Sequence, residues 1–210
     1  MKIVDLTHHI MPDMPVYPGT EQPVFRDIAR VKTHGFAEKQ INMVTHTGTH
    51  MDAPAHMIPG GKTLDQLPLD FFYGPAVCVS VPEHRPVIDI RNLLPVERQI
   101  EAARFILFHT GWDRYWGTER YFSEYPVLSA EATVWLAGFK LKGVGFDTIS
   151  ADSADTSDFS NHHHLLGNAM VIIENLRGLN QLPPSGFVFS CFPLKIKDAD
   201  GSPVRAVAMV

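Results

Sequence analysis

The sequence predicts a single α/β domain, spanning residues 1–210, with a core dominated by β-strands. Three observations support this fold class. Nine short runs rich in β-branched and aromatic residues recur along the chain, and three other segments carry helix signals. Prolines and glycines are spread along the chain instead of forming a linker. Finally, 210 residues suffice to bury one substantial core.

The nine runs predict strands, and the segments between them predict the helices. The strand runs are residues 2–6, 24–28, 40–44, 76–81, 105–108, 143–146, 171–173, 187–189 and 204–210. The helical candidates are residues 89–94, 129–139 and 161–170. Ser129 is a typical N-cap for the second of these helices. The apolar C-terminal run, 204–210, is expected to be an interior or interface strand.

Composition narrows the classes of function. The hydrophobic fraction is 45% and the charged fraction 20%, as in ordinary globular proteins, and no stretch is long and apolar enough to cross a membrane. The net charge is −5 without a basic cluster, so we expect neither a nucleic-acid nor a membrane partner, but a small-molecule substrate. Because the first residues lack the apolar core of a signal peptide, we expect a cytoplasmic location. Cys78 and Cys191 lie in apolar runs and are expected to be buried free thiols.

The eleven histidines are the one unusual feature of the composition. Seven of them fall into two groups, which are His34, His46, His50 and His56, followed by His162, His163 and His164. A single histidine is usually a hydrogen-bonded or solvated residue, but a dense set beside carboxylates is typical of a metal site. The clustering therefore directs attention to metal binding.

Three histidines of the first group, His46, His50 and His56, lie within the run 46–56, which reads HTGTHMDAPAH. Its β-branched residues, glycine and proline disfavour a helix, so we expect an extended segment. Alternation with period two would place His46, His50 and Asp52 on one face. Gly48, between the two imidazoles, would then leave room for an ion, and this donor set suits Zn²⁺ or Mn²⁺. The alternatives are structural histidines, or a helical metal site with a spacing of four.

This run resembles the HxGTHxDxPxH signature of the cyclase family of metal-dependent hydrolases, to which bacterial kynurenine formamidases and isatin hydrolases belong. The resemblance extends over most of the chain, through residues 5–7, 17–19, 110–112, 145–148, 174–176 and 193–197. It implies a barrel-like β core with peripheral helices, one or two zinc ions or manganese, and a homodimer or homotetramer.

The resemblance also implies roles for individual residues. His46, His50 and Asp52 would hold one ion; Asp52, His162 and Glu174 would hold a second; and His56 would be catalytic. The spacing to the glutamate matches His162 best, with adjacent His163 as the alternative. For Glu174, which ends an apolar run, the alternative is a salt bridge with Arg177.

These residues predict a metal-dependent amide hydrolase that acts through metal-activated water, with His56 passing a proton to the leaving nitrogen. The substrate expected from the resemblance is an aryl formamide of the N-formylkynurenine type. Tyr17 matches a position that presents an aromatic ring to the substrate, although a structural Tyr-Pro turn explains it equally well. The alternative functions are a cyclic-amide hydrolase of the isatin hydrolase type and a non-catalytic metal-binding protein. The presence of His56 in addition to a complete set of ligands argues against the non-catalytic protein.

Overall fold

The computed structural model describes residues 1–82 and 85–210. In these ranges the strands are β1 (Ile3–Asp5), β2 (Val24–Ala29), β3 (Glu38–Asn42), β4 (His50–Asp52), β5 (Tyr73–Ser80), β6 (Val87–Ile88), β7 (Phe105–His109), β8 (Val127–Leu128), β9 (Gly143–Phe146), β10 (Val171–Glu174), β11 (Phe187–Ser190), β12 (Gly201–Pro203) and β13 (Val207–Met209). Each of the nine predicted runs overlaps one of these strands, which confirms the β-dominated core.

The helices are short and lie outside the sheet. In the described residues they are α1 (Val31–His34), α2 (Ile90–Leu93), α3 (Glu97–Ala102), α4 (Ala130–Leu136) and α5 (Ser160–Gly167). All three predicted helices are present, each shorter than its segment. Ser129 is the N-cap of α4, since its hydroxyl oxygen accepts a hydrogen bond from the Ala132 backbone N–H. The sequence did not predict α1 or α3.

Nine of the described strands form one sheet in the order β1-β13-β11-β5-β7-β9-β10-β4-β12. Its centre, β5 to β10, is parallel, and the flanking strands pair antiparallel. A β-bridge between Thr7 and Leu176 joins the chain just after β1 to the chain just after β10, although five strands separate these two in the sheet order. The sheet is therefore curled into a half-barrel, which confirms the barrel-like core.

The two faces of the curled sheet bury separate cores. Side chains on adjacent positions of a strand point to opposite faces. Thus Phe105 and Leu107 pack inside the curl, whereas Ile106 and Phe108 pack outside it, against the helices. The C-terminal strand β13 lies between β1 and β11, so it is an interior strand of the sheet. Cys78 and Cys191 are buried free thiols, as predicted.

Two further features bear on function. The hairpin β2–β3 is a separate two-stranded sheet, and its side chains are mostly exposed. No helix in the described ranges is long and apolar enough to span a membrane.

Candidate metal centre

Strand β4 is the base of the site, because it lies between β10 and β12 and brings residues from both neighbours beside it. His50 is paired in register with Glu174 on β10, and Asp52 with Gly201 on β12. Met51 points to the opposite face and is fully buried in the inner core. The alternation of a strand therefore places the His50 and Asp52 side chains together, as the sequence predicts for these two residues.

His46 reaches the site from a bend before β4, and this corrects the prediction of one extended segment from His46 to Asp52. Gly48 has φ +65°, and a Cβ there would meet Met14 Cε at 3.0 Å instead of occupying the space between the imidazoles. The glycine therefore permits a left-handed turn, and the proposed role of making room for an ion is wrong. Its carbonyl accepts a hydrogen bond from the Asn175 side-chain amide.

Gly201, across from Asp52, is the glycine that makes space. A Cβ at this position would lie 2.5 Å from Cε1 and 2.7 Å from Nε2 of the His46 ring. The imidazole of His46 thus lies directly against the backbone of β12. Nothing in the local sequence around Gly201 pointed to this close approach.

Helix α5 contributes His162 and leaves the two following histidines outside the site. His162 is 4% exposed, whereas His163 is exposed and His164 partly so. His162 Nε2 lies 3.2 Å from Glu174 Oε1 and 3.7 Å from Asp52 Oδ2. Of the adjacent histidines, the structure therefore brings His162 to the carboxylates.

The predicted ligands form two adjoining groups that share Asp52. One group is His46, His50 and Asp52, the other is Asp52, His162 and Glu174, and in each the donor atoms lie within 4.8 Å of one another. Glu174 also faces His50, at 3.5 Å, and accepts a hydrogen bond from the Ala151 backbone N–H. Its ion-pair partners in the described residues are these histidines and not Arg177, contrary to the alternative interpretation.

The three histidines each have a second partner on the nitrogen that faces away from the shared carboxylate. His46 Nε2 lies 3.1 Å from Asp200 Oδ2, His50 Nδ1 lies 2.8 Å from the Gly48 carbonyl, and His162 Nδ1 lies 2.6 Å from Asp152 Oδ2. Such outer partners orient metal-ligating imidazoles and determine which nitrogen carries the proton. The nitrogen and carboxylate donors, their convergence and their outer partners fit one or two divalent ions.

Electrostatics in the metal-free protein show how strongly these groups interact. Burial raises the pKa of Asp52, but the charge of His50 and hydrogen bonds with His162 and His46 outweigh it and hold the pKa well below its ordinary value. Burial likewise lowers the pKa of His46, but Asp52 and Asp200 outweigh it and raise this pKa to about 9. The buried carboxylate is therefore ionised and attracts positive charge, in the form of protons or of a metal ion.

His56 ends a short 3-10 turn, Pro54–His56, and stands beside the ligand groups. Its ring lies 4.0 Å from the His46 ring, and its Nδ1 is 3.5 Å from Asp200 Oδ2. Burial lowers the pKa of the His56 imidazole below its ordinary value, so near neutral pH it is uncharged and able to accept a proton. Tyr17 lines the same cavity as His56.

Sequence reasoning missed several residues of the site. Asp200 and Asp152 contact His46 and His162, two of the predicted ligands, and neither aspartate stands in a recognisable motif. Asn175 lines the cavity with φ 57°, and its side chain joins the Tyr121 hydroxyl to the Gly48 carbonyl. The only local signal was the position of Asn175 directly after Glu174.

Comparison with known proteins decides the family. The chain matches the family described as Cyclase over residues 4–153. It belongs to the cyclase family. The cyclase-family chain is 33% identical to the kynurenine formamidase of Salinibacter ruber over 216 residues, covering 99% of this chain and 97% of that protein.

Solved structures agree with this assignment. Isatin hydrolase A from Labrenzia aggregata superimposes on the cyclase-family chain with a TM-score of 0.88 at 28% identity, covering 100% of this chain and 93% of the other. A structure described as a potential metal-dependent hydrolase with cyclase activity gives a TM-score of 0.81 at 28% identity, covering 99% and 96%. The cyclase-family chain is a metal-dependent amide hydrolase, as the sequence predicts.

We expect the metal affinity of this cyclase-family protein to rise between pH 6.5 and 9. Folding raises the pKa of His46 from 6.5 to about 9, so its protonation stabilises the metal-free protein below pH 6.5, and this contribution is lost as the pH approaches 9. An ion must displace the proton, which changes affinity by about tenfold per pH unit for each proton released.

Thermal unfolding of chelator-treated protein, with and without added zinc, tests both trends. The Tm of the metal-free protein should fall across this pH range, while the gain in Tm on adding zinc should grow. His163→Ala removes an exposed imidazole beside His162 and should leave both trends unchanged. A zinc-dependent gain in Tm that is the same at every pH would contradict the expectation.

Proposed function

We propose that this amide hydrolase acts on small aryl formamides of the N-formylkynurenine type, with zinc as its metal. The observation that supports this best is a cavity of about 540 Å³ that opens onto both ligand groups and His56. Its volume lies in the range of small-molecule sites. Aromatic and apolar side chains form much of its wall, namely Pro15, Val16, Tyr17, Met57, Ile149 and Phe159. Such a wall suits an aryl ring placed beside a reactive amide.

The relative named kynurenine formamidase supports the same substrate class. For the metal, imidazole and carboxylate donors suit Zn²⁺ and also accommodate Mn²⁺. We propose zinc, with His46, His50 and Asp52 holding one ion and Asp52, His162 and Glu174 holding a second. When bound, such ions activate water at neutral pH and polarise the substrate carbonyl.

The chain's own residues supply the remaining steps. Tyr17 and the apolar wall position the aryl group, and burial shields the carboxylates of Asp52 and Glu174 from bulk water. His56, uncharged near neutral pH, takes up a proton and returns it to the leaving nitrogen. This role requires an imidazole that is not occupied as a ligand, and His56 lies outside the two groups that share Asp52.

A substrate panel tests the proposal. Zinc-loaded protein should hydrolyse N-formylkynurenine and formanilide with a higher kcat/KM than isatin. An alkyl formamide and a dipeptide should be hydrolysed hardly at all. The second candidate is a cyclic-amide hydrolase, favoured by the superposition on isatin hydrolase A over the whole chain. Preference for isatin over both aryl formamides would overturn the first proposal in favour of the second. Zinc binding without turnover of any amide of the panel would contradict both candidate substrates.

Tyr17 provides a prediction about the substrate's ring. Tyr17→Ala should raise KM for an aryl formamide about 2- to 10-fold with little change in kcat, because a stacked aromatic pair contributes about 0.5–1.5 kcal/mol. Tyr17→Phe keeps the ring and serves as the matched control, with a KM near that of the parent. Steady-state kinetics on the two variants measure the difference. An unchanged KM in Tyr17→Ala would favour a purely structural Tyr-Pro turn.

We also propose that the protein is a homo-oligomer, a homodimer or homotetramer. Support comes from the hairpin β2–β3, which exposes the apolar side chains of Val24, Ile28 and Ile41, together with Val31 and Phe36 between its strands. An isolated two-stranded hairpin is marginally stable in water, so packing against a second copy would stabilise it. The mass in solution, measured by light scattering, tests this; a monomer at micromolar concentration would contradict it.

A further inference from the structure

Asp200 connects two histidines that the proposed function separates into ligand and proton carrier. It immediately precedes β12, and its Oδ2 lies 3.1 Å from His46 Nε2 and 3.5 Å from His56 Nδ1. Its other oxygen, Oδ1, accepts a hydrogen bond of 3.0 Å from the Thr45 hydroxyl. The carboxylate is half-exposed, but these contacts hold it in one orientation between the two rings.

When His46 holds an ion through Nδ1, the contact with Asp200 stabilises the tautomer that this requires. A neutral imidazole carries one proton, and a carboxylate beside Nε2 favours the proton there. Nδ1, which shares a hydrogen bond of 2.7 Å with Asp52 Oδ1 in the metal-free protein, then offers its lone pair to an ion once the proton is displaced. Gly201, the next residue after Asp200, leaves no space between its backbone and the His46 ring. The adjacent pair thus sets both the position and the tautomer of His46.

The same oxygen faces His56, whose ring lies 4.0 Å from that of His46 and is tilted by 36°. An Nδ1–H directed at Asp200 leaves Nε2 of His56 unprotonated and able to accept a proton. The separation of 3.5 Å is long for a hydrogen bond, and such contacts commonly shorten when substrate binds. An aspartate that orients a catalytic imidazole in this way acts through the tautomer and does not itself take up the proton.

We propose that Asp200 is a positioning residue that holds His46 as an Nδ1 ligand and His56 as an Nε2 base. The inference rests on the proposed function for its catalytic consequence, but the tautomers themselves exist without substrate. The three side chains could instead hold an ion of their own, since their donor atoms also lie within 4.8 Å of one another. We favour hydrogen bonding over such an ion, because His46 already serves as a proposed ligand through Nδ1 and only its Nε2 faces Asp200.

Asp200→Asn tests the proposal. The carboxylate of Asp200 only accepts hydrogen bonds from the imidazoles, whereas the amide N–H of the substituted side chain would donate one to an unprotonated imidazole nitrogen. In zinc-loaded protein with ¹⁵N-labelled histidine, NMR should show Nδ1–H for His56 in the parent and a shift toward Nε2–H in the variant. We expect kcat on an aryl formamide to fall about 10- to 100-fold with KM nearly unchanged, the range measured for outer partners of metal ligands. Zinc affinity, measured by competition with a chelator, should weaken at the group that contains His46.

Two further variants keep the test decisive. Thr45→Val removes the hydroxyl that holds Asp200 and should change tautomers and kcat in the same direction, by a smaller factor. Asp198→Asn changes an exposed acidic residue of the same loop and should resemble the parent. If Asp200→Asn does not fold, as judged by circular dichroism, Thr45→Val decides.

Three outcomes would overturn the proposal. The first is that His46 and His56 keep the parental tautomers in Asp200→Asn. The second is that this variant loses one equivalent of zinc while the His56 tautomer is unchanged. The third is that it keeps the full kcat although the tautomers have changed. The first two readouts need no substrate. Failure of the parent to hydrolyse aryl formamides would therefore count against the proposed function and leave the test of Asp200 intact.

Discussion

His56→Ala is expected to lower kcat on an aryl formamide by about 10²- to 10⁴-fold, the usual contribution of a positioned acid or base. The metal content should be unchanged, because the two groups that share Asp52 do not include His56. Burial keeps the imidazole uncharged near neutral pH, which is the state required to accept a proton. Its place beside His46, with ring centroids 4.0 Å apart, puts it within reach of a substrate in the cavity.

Elemental analysis and kinetics on the same samples separate the roles that His56 could have. His56→Gln is the matched variant, since it keeps a polar side chain but cannot act as a base in the same way; it should be as impaired as His56→Ala. Near-normal turnover in either variant would rule out the proton-transfer role. Loss of zinc in both would instead make His56 a ligand.

The fold was predictable to the extent that its strands are locally distinctive. Central strands such as β5, β7 and β10 are buried on both faces and appear in the sequence as short apolar runs. Strands β6 and β8 are only two residues long, which is too short to show the alternation or apolar run by which a strand is recognised in a sequence. Helix α3 begins without a side-chain N-cap, so the sequence offered no start signal.

The residues of the site were likewise predictable only where they lie close together in the sequence. The predicted ligands in the run 46–56 share one segment of chain, and their residue types and spacing were visible in the sequence. Asp200 lies 154 residues from His46 and meets it only because β12 pairs with β4. One acidic residue before a glycine is also an ordinary turn signal, so no local pattern distinguishes it. The error at Gly48 arose because an extended segment was assumed where the backbone turns.

Asp52→Asn is expected to remove both of the proposed metal ions and to lower kcat/KM by at least about 10³-fold, since metal activation contributes several kcal/mol to such reactions. Asp52 is the one residue that the two candidate groups have in common. It is 1% exposed, so the substitution removes a buried negative charge that three imidazoles face. Zinc per chain, measured by elemental analysis after gel filtration, should fall from the parental value to near zero.

Glu174→Gln is the variant that distinguishes a shared ligand from general damage. The amide keeps an oxygen that can accept the hydrogen bond from Ala151 N–H, but it lacks the negative charge beside His162. We expect this variant to lose the ion held with His162 and to keep the ion held by His46, His50 and Asp52. Equal loss of zinc in both variants would show a single site built from all five ligands.

Thermal stability provides the control for Asp52→Asn. Removing the carboxylate leaves buried, charged imidazoles without their partner, which lowers the free energy of unfolding. In the metal-free parent, the ionised carboxylate stabilises the protonated histidines, as the low pKa of Asp52 and the raised pKa of His46 indicate. Chelation of the parent should therefore abolish turnover while the protein stays folded. Asp52→Asn should lose turnover and also unfold at a lower temperature than the chelated parent. If the two unfold at the same temperature, Asp52 acts only as a ligand and the paired charges contribute nothing measurable to stability.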